Sequence, residues 1–244
     1  VFVVPLLRLL PFAVADGPTN MAADEVLLGS AAAGTASLRF YAFSAATLSL
    51  GYFQPSAAAL AYPGLAGLAW VRRPSGGAAL VHHHELTYAL ALPAGPAWQP
   101  AGLAWLPRLH ELARVALARR GVVARLCTAE ARLGPVLCFR HHTPGDLVLG
   151  GHKIAGSAQR KRHGAVLQHG GILLAQSPHT PELPGLAELA GLRLPADALA
   201  GDLAEGLAAA TGWSVLPGPW SAGERAALPA LAARYACAGW NLRR

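Results

Sequence analysis

The chain has 244 residues, 53% of them hydrophobic, which suits a core of one-domain size with at most a small C-terminal appendage. Only 14% are charged, no apolar run is long enough to cross a bilayer, and the scattered Cys127, Cys138 and Cys237 exclude a disulfide framework or a CxxC metal pair and point to a reduced compartment. The formal charge of +7 suits nucleic acid, a membrane surface or an acidic protein as partner, and does not choose among them.

Residues 1–7 are apolar and Ala13-Val14-Ala15 resembles a signal-peptidase site. No basic segment precedes the run, however, and Arg8 and Pro11 interrupt it, which predicts a first β-strand in a cytoplasmic protein. The turn Asp16-Gly17-Pro18-Thr19-Asn20 leads into a helix over 21–29, capped by Asn20 or Thr19, with Asp24 and Glu25 in its first turn. Residues 38–43 and 47–52 predict two strands rich in β-branched and aromatic side chains, and 68–73 a third, ended by Pro74-Ser75-Gly76-Gly77. Strands resume at 79–81 and, past three histidines, at 86–92. Leu103, Leu106, Leu109, Leu112, Val115 and Leu117 recur at helical spacing, which predicts a helix over 101–121 stopped by Gly121. Further strands are expected at 122–126, 146–149, 165–168 and 171–175. Beyond Pro178 few β-branched residues remain, and short helices are expected at 181–190, 197–211 and 221–236. Strands first and helices late predict an α+β fold, one domain over 1–244 with a helical C-terminal part from about 178.

The basic residues are 18 arginines and two lysines, Lys153 and Lys161. Lysine loses its proton when desolvated and acts as a compact point charge, which arginine does not readily do. Lys153 is therefore a candidate for chemistry, whereas Lys161, inside Arg160-Lys161-Arg162-His163, suits chance or a phosphate contact better. Arg72-Arg73 precede Pro74-Ser75-Gly76-Gly77, a turn in which glycines let the backbone approach a carbonyl, phosphate or acyl chain. A plain β-turn is the simpler reading of that turn alone. Among His82, His83 and His84, strand alternation lets only His82 and His84 share a side. No HxxxH or carboxylate-bearing helix completes a metal set, so a hydrogen-bonding histidine is expected. Cys138 stands among His141, His142, His152, Lys153 and His169, and nearby cations lower a thiol pKa from its usual ~8.5, which makes Cys138 the candidate nucleophile. Cys127 and Cys237 lie among apolar residues and read as core fillers.

The run Gly151-His152-Lys153-Ile154-Ala155-Gly156-Ser157-Ala158-Gln159, followed by Leu167-Gln168-His169-Gly170, resembles the signature of the biotin/lipoate protein ligase superfamily. Arg72-Arg73-Pro74-Ser75-Gly76-Gly77 resembles its glycine loop, and Asn20-Met21-Ala22 and Ser49-Leu50-Gly51-Tyr52 its N-terminal helix and next strand, all in the family's order. His82 with Glu85-Leu86-Thr87-Tyr88, and Cys138 fifteen residues before Lys153, are similar to the octanoyltransferase, LipM-like branch. The resemblance implies a mixed, largely antiparallel sheet flanked by helices, a biotin/lipoate protein ligase-like catalytic domain. It implies transfer of an octanoyl group from octanoyl-acyl carrier protein, through a Cys138 thioester, to a lysine of a lipoyl domain. Acceptors of that kind are the glycine cleavage H protein and the E2 component of a 2-oxoacid dehydrogenase. Catalysis then falls to Cys138 and Lys153, and substrate binding to Arg72, Ser75, Gly76, Gly77, His82, Gly156 and Ser157, with no metal, cofactor, nucleic acid or membrane. Backbone N–H groups around Gly76-Gly77 and Gly156-Ser157 are the expected oxyanion donors, and Arg160, Lys161 and Arg162 are expected to dock acidic partners. The chain departs from the family pattern at Ala78, where ligases keep a third glycine, and at Ser75, His83, His152 and Gly171. His83 replaces the Asp expected to support His82. The competing readings are an ATP-dependent lipoate ligase indifferent to Cys138, a cysteine-dependent amidotransferase, and a non-catalytic basic binding domain.

Overall fold

All eight residues of the segment ELTYALAL, Glu85–Leu92, are buried. A strand without a solvent face must lie inside a sheet covered on both sides. Its large side chains Leu86, Tyr88, Leu90 and Leu92 enter one core, and Ala89 and Ala91 enter the other, where the absence of bulk lets a helix approach closely.

The computed structural model describes residues 4–134 and 136–243. In chain order the elements are β1 Leu6–Leu9, β2 Ala13–Ala15, α1 Gly17–Ala32, β3 Ser37–Phe43, β4 Thr47–Leu50, α2 Ser56–Leu60, β5 Ala69–Arg72, β6 Leu80–His82, β7 Glu85–Leu92, α3 Trp105–Ala118, β8 Arg125–Leu126, β9 Ala131–Arg132, a 3₁₀ turn Cys138–Arg140, β10 His141–His142, β11 Leu147–Leu149, β12 His152–Arg162, β13 Ala165–Leu173, α4 Leu186–Ala190, α5 Ala196–Thr211, β14 Ser214–Pro217, α6 Ala222–Ala236 and α7 Ala238–Asn241. The main sheet runs β14-β1-β3-β7-β13-β12-β11-β8, with β2 beside β3. Pairing is parallel at β14-β1, β1-β3 and β2-β3, and antiparallel from β3 to β8. This is the mixed, largely antiparallel α+β sheet expected from the sequence. Helices α3 and α5 cover one face, and α1 covers the other, with α6 packed on α1. A small sheet, β5-β4-β6, sits over a third core that includes Leu48, Leu50, Val81 and Phe139.

Several boundaries differ from the sequence reading. Helix α1 begins before residue 21, because Asp16 itself accepts from the Thr19 N–H at 2.8 Å and Pro18 fits the first turn. Asn20 is therefore buried inside the helix, donating to the carbonyls of Ala15 and Ala42, both at 3.1 Å. The strand read at 122–126 is confined to Arg125–Leu126. The two strands read at 165–168 and 171–175 are one, because Gly170 and Gly171 stay in register opposite Ser157 and Gly156. Turning from β12 into β13, His163 and Gly164 have φ of 48° and 77°, the two positive values of a tight hairpin. Pro184-Gly185 delays the helix expected at 181–190 to Leu186–Ala190. The C-terminal part is not wholly helical, since β14 returns to pair with β1. Of the strand expected over residues 1–7, positions 1–3 lie outside the described residues, and β1 occupies Leu6–Leu9. Among the described residues no helix is long and apolar enough to cross a membrane.

Candidate active site

Arg73 follows β5 and turns inward. Its guanidinium donates to the Ser49 carbonyl at 3.1 Å and to the Gly76 and Ala78 carbonyls at 2.7 and 2.8 Å, so the glycine loop wraps around a buried cation. Gly77 has φ of 95°, and a Cβ there would lie 2.7 Å from Arg73 Nη2; conformation and packing both require glycine. Gly51 seats the other side of the loop, where a Cβ would overlap the Gly77 carbonyl oxygen. Arg72 points elsewhere, donating to the carbonyls of Gly51, Gln54 and Asn241 at 2.8, 2.7 and 3.0 Å. It braces the loop against the C-terminus and does not line the cavity described next.

The loop frames a cavity of about 70 Å³. Met21, Tyr41, Leu80 and Phe139 give it apolar walls, and Arg73, Gly77, His82, Cys138, Gly156, Ser157 and His169 also face it. Ser75 is buried behind this surface. The half-buried Cys138 opens the 3₁₀ turn, and its N–H donates to the Ala79 carbonyl at 2.7 Å, which fixes the sulfur beside the end of the glycine loop. Arg73 is the cation in this wall. Burial pulls its guanidinium below the ordinary range, and the negative charge available at Cys138 opposes that shift.

Of the five groups expected around the sulfur, His169 shares the cavity; His142, His152 and Lys153 line a neighbouring one, with Phe139 facing both. The His141 ring is bonded to the Gly134 carbonyl. Lys153 Nζ is 2.7 Å from Asp146 Oδ2 and donates to the His141 carbonyl at 3.0 Å. It lies against Gly156, where a Cβ would stand 2.5 Å from Lys153 Cε and 2.9 Å from Nζ. Gly156 thus forms the wall between the ammonium and the cavity, and its missing side chain allows the close approach.

His82 stacks on Phe43 with centroids 3.9 Å apart. Its Nδ1 is 2.7 Å from Glu85 Oε1 and its Nε2 is 2.8 Å from Ser49 Oγ. His82 therefore has a carboxylate partner in Glu85 although position 83 carries none. Burial pushes the Glu85 carboxyl up, but His82 and hydrogen bonds from the His83 N–H and the Thr87 hydroxyl outweigh it and hold the group below its ordinary value. The chain bends at His83 and His84, whose rings stack 3.6 Å apart; strict strand alternation had put His84 with His82.

Two further polar chains went unread in the sequence. His169 joins α1 to the glycine loop, with Nδ1 2.7 Å from Asp24 Oδ2 and Nε2 bonded to Ser75 Oγ. Asp24 also accepts from Tyr41 at 3.0 Å and lies 3.6 Å from Arg39. The second chain runs behind Ser157. Gln168 donates to Tyr88 at 3.0 Å, Tyr88 and Ser157 share a hydrogen bond, and Ser157 Oγ is 2.6 Å from His110 Nε2. His110 Nδ1 is 2.6 Å from the Gly145 carbonyl, which can only accept, so Nδ1 carries the proton. Burial holds His110 below the ordinary imidazole range, and its neutral Nε2 accepts from Ser157. These groups give the cavity a thiol, a buried cation, a glycine backbone and rigid polar support, the parts needed for acyl transfer at sulfur.

Comparison with known proteins identifies the family. Residues 16–180 match the model of the lipoyl protein ligase A/B catalytic domain. The octanoyltransferase LipM of Symbiobacterium thermophilum is 32% identical over 97% of this chain and 98% of its own length. That of Moorella thermoacetica is also 32% identical with the same coverage, and that of Lysinibacillus sphaericus is 38% identical over 64% of this chain and 61% of its own length. Among solved structures, a lipoate-protein ligase A with ATP bound superposes with a TM-score of 0.79 at 22% identity, covering 96% of this chain and 98% of that one. A bipartite lipoate protein ligase from Thermoplasma acidophilum, studied with its E2 lipoyl domain, gives 0.75 at 19% identity, covering 98% and 96%. The structural likenesses establish the fold, and the family model and the sequence relatives place the chain in the lipoyl protein ligase A/B catalytic-domain family, among its LipM octanoyltransferases of lipoate biosynthesis.

Proposed function

We propose that this acyltransferase carries an octanoyl group as a thioester on Cys138, taking it from octanoyl-acyl carrier protein and passing it to a lysine of a lipoyl domain. The observation that supports this most is the Cys138 sulfur in an apolar-walled cavity beside the buried Arg73. The thiolate attacks the donor carbonyl carbon, a tetrahedral oxyanion forms, and the donor's sulfur leaves and takes up a proton. The acceptor ε-amine then attacks the Cys138 thioester, loses a proton, and expels the thiolate as the amide forms. The first exchange is nearly neutral in energy and amide formation drives the second, so ATP has no role.

Arg73 gives the sulfur's negative charge a counter-charge that costs no reorganisation, because four hydrogen bonds to the Ser49, Gly76 and Ala78 carbonyls already fix its position. The N–H groups of Gly76 and Gly77 are the proposed oxyanion donors. Lys153 is paired with Asp146 behind the Gly156 backbone; its proposed part is to set that wall and, where the side chain swings past Gly156, to take the proton of the incoming amine. Ser75, His82 and Ser157 position these groups through His169, Glu85 and His110. Arg72 holds the loop from outside. The acyl chain is proposed to lie in the roughly 70 Å³ cavity, against Met21, Tyr41, Leu80 and Phe139. The flexible Met21 can adjust to the chain's shape.

The test is intact-mass measurement after mixing with octanoyl-acyl carrier protein. One octanoyl increment on the parent, absent in Cys138→Ser, is expected; an increment that persists in Cys138→Ser refutes the assignment.

A further inference from the structure

We propose that a basic groove of about 330 Å³, bordered by Arg160, Lys161, Arg162, Arg234 and Arg243, is the landing site of the acidic carrier protein that delivers the acyl group. This rests on the transfer reading above and gives the donor a place on the molecule.

Charge is the first ground. Arg234 is ion-paired with Glu25, but the other four cations have no acidic partner among the described residues. They are also gathered by stacking. The Arg160 and Arg243 guanidiniums lie 5.4 and 4.7 Å from the centre of the Tyr52 ring, and Arg243 and Arg234 lie 4.4 and 4.7 Å from that of Trp240. Two aromatic rings thus hold Arg243 within about a Debye length of both Arg160 and Arg234. Their mutual repulsion is unfavourable until an anionic surface meets them.

Position is the second ground. Gly156 and Ala158 line the Cys138 cavity, and alternation along β12 puts Arg160 and Arg162 on the same face. Pro74, which follows Arg73 in the glycine loop, borders the groove. The strand therefore forms a continuous track from groove to sulfur. Four residues of strand, from Gly156 to Arg160, span about 13 Å, farther than the four-carbon stem of an acceptor lysine reaches. A thioester on a long, flexible arm covers that distance, so the groove fits the donor.

The test combines binding with kinetics on the full chain. Carrier protein bearing a free-thiol arm is titrated at low salt, and acylation is followed with octanoyl-carrier and with octanoyl-N-acetylcysteamine, a neutral thioester without a carrier. In the triple variant Arg160→Gln, Arg162→Gln, Arg243→Gln, the carrier Kd is expected to rise about tenfold with a flatter salt dependence, the loss of three exposed charge contacts together. KM for octanoyl-carrier should rise with it, while acylation by the neutral thioester changes less than twofold and the melting temperature holds. An unchanged carrier Kd, a parent that does not bind the carrier, or weakened binding of the lipoyl domain in its place overturns the proposal. Failure of the parent to take octanoyl from either thioester defeats the transfer reading, while the carrier titration still decides the docking site.

Discussion

Glu85 is the carboxylate partner of His82 in the structure, and its replacement gives a sharp test of how His82 is held. Its carboxylate accepts from His82 Nδ1 at 2.7 Å, the His83 N–H at 2.6 Å and the Thr87 hydroxyl at 3.1 Å. Glu85→Gln keeps the shape but substitutes an NH₂ for one acceptor oxygen, so at least one buried donor loses its partner in either amide orientation. One unsatisfied buried N–H costs about 1–3 kcal/mol, which in a chain of this size lowers Tm by roughly 4–8 °C for a mid-range loss of 2 kcal/mol. The effect is also pH-dependent. The folded carboxyl lies below its ordinary value of 4.5, so its stabilisation is fully present above that value and is lost as pH falls through the lower, folded one. Urea unfolding of parent and variant at pH 7 should therefore show the full gap, narrowing in acid. A variant within about 0.5 kcal/mol of the parent at pH 7, with an unaltered acylation rate, would refute the view that Glu85 holds His82 in place.

Gly156→Ala should push Lys153 out of its pair with Asp146, because the new Cβ meets Cε at 2.5 Å. Rapid-mixing measurement of thioester formation should show a loss of about tenfold or more, and a parental rate would count against the placement of Lys153. Lys153→Arg should slow passage of the octanoyl group from Cys138 to the acceptor lysine, since the larger, always-charged fork cannot accept the amine proton; a parental transfer rate would show Lys153 to be dispensable. Glu224 anchors α6 to β1 through Arg8 at 2.6 and 2.8 Å. Burial raises its pKa, but Arg8, Ser30 and the Ser221 N–H outweigh that and bring it to about 2. Its contribution, about 1–2 kcal/mol after screening by solvent, is present above 4.5 and lost as pH falls towards 2. Glu224→Gln should thus melt below the parent at pH 7 and converge with it in acid, and a pH-independent gap in calorimetry would be the contrary outcome.

Parts of the molecule legible in the sequence were those whose signals are local. The Arg73 to Gly77 loop announces itself through adjacent glycines, and the Cys138 sulfur through the histidines and lysine strung after it. The buried strand Glu85–Leu92 shows as an apolar run, and α5 as a long stretch of Ala and Leu. What escaped depends on residues far apart or on a break in periodicity. Asp24, His169 and Ser75 meet across 145 and 94 positions, and no spacing rule connects them. His82 and Glu85 are close in sequence, but the bend at His83-His84 that pairs them is what a strand reading smooths away. Arg73 was visible only as half of a basic pair; that Arg73 turns inward while Arg72 braces the C-terminus is decided by Asn241, which lies 169 residues from Arg72. Strand β14 was missed because four residues, Ser-Val-Leu-Pro, carry too little alternation to outweigh the helices around them.

The most direct measurement of the central claim is a chase. Octanoyl-loaded enzyme is separated from its donor and mixed with a lipoyl domain, without ATP, while the masses of both proteins are followed. The account predicts that the increment leaves Cys138 and appears on the acceptor lysine at a rate matching turnover. A loaded enzyme that keeps its octanoyl group while the complete mixture still acylates the acceptor would contradict it.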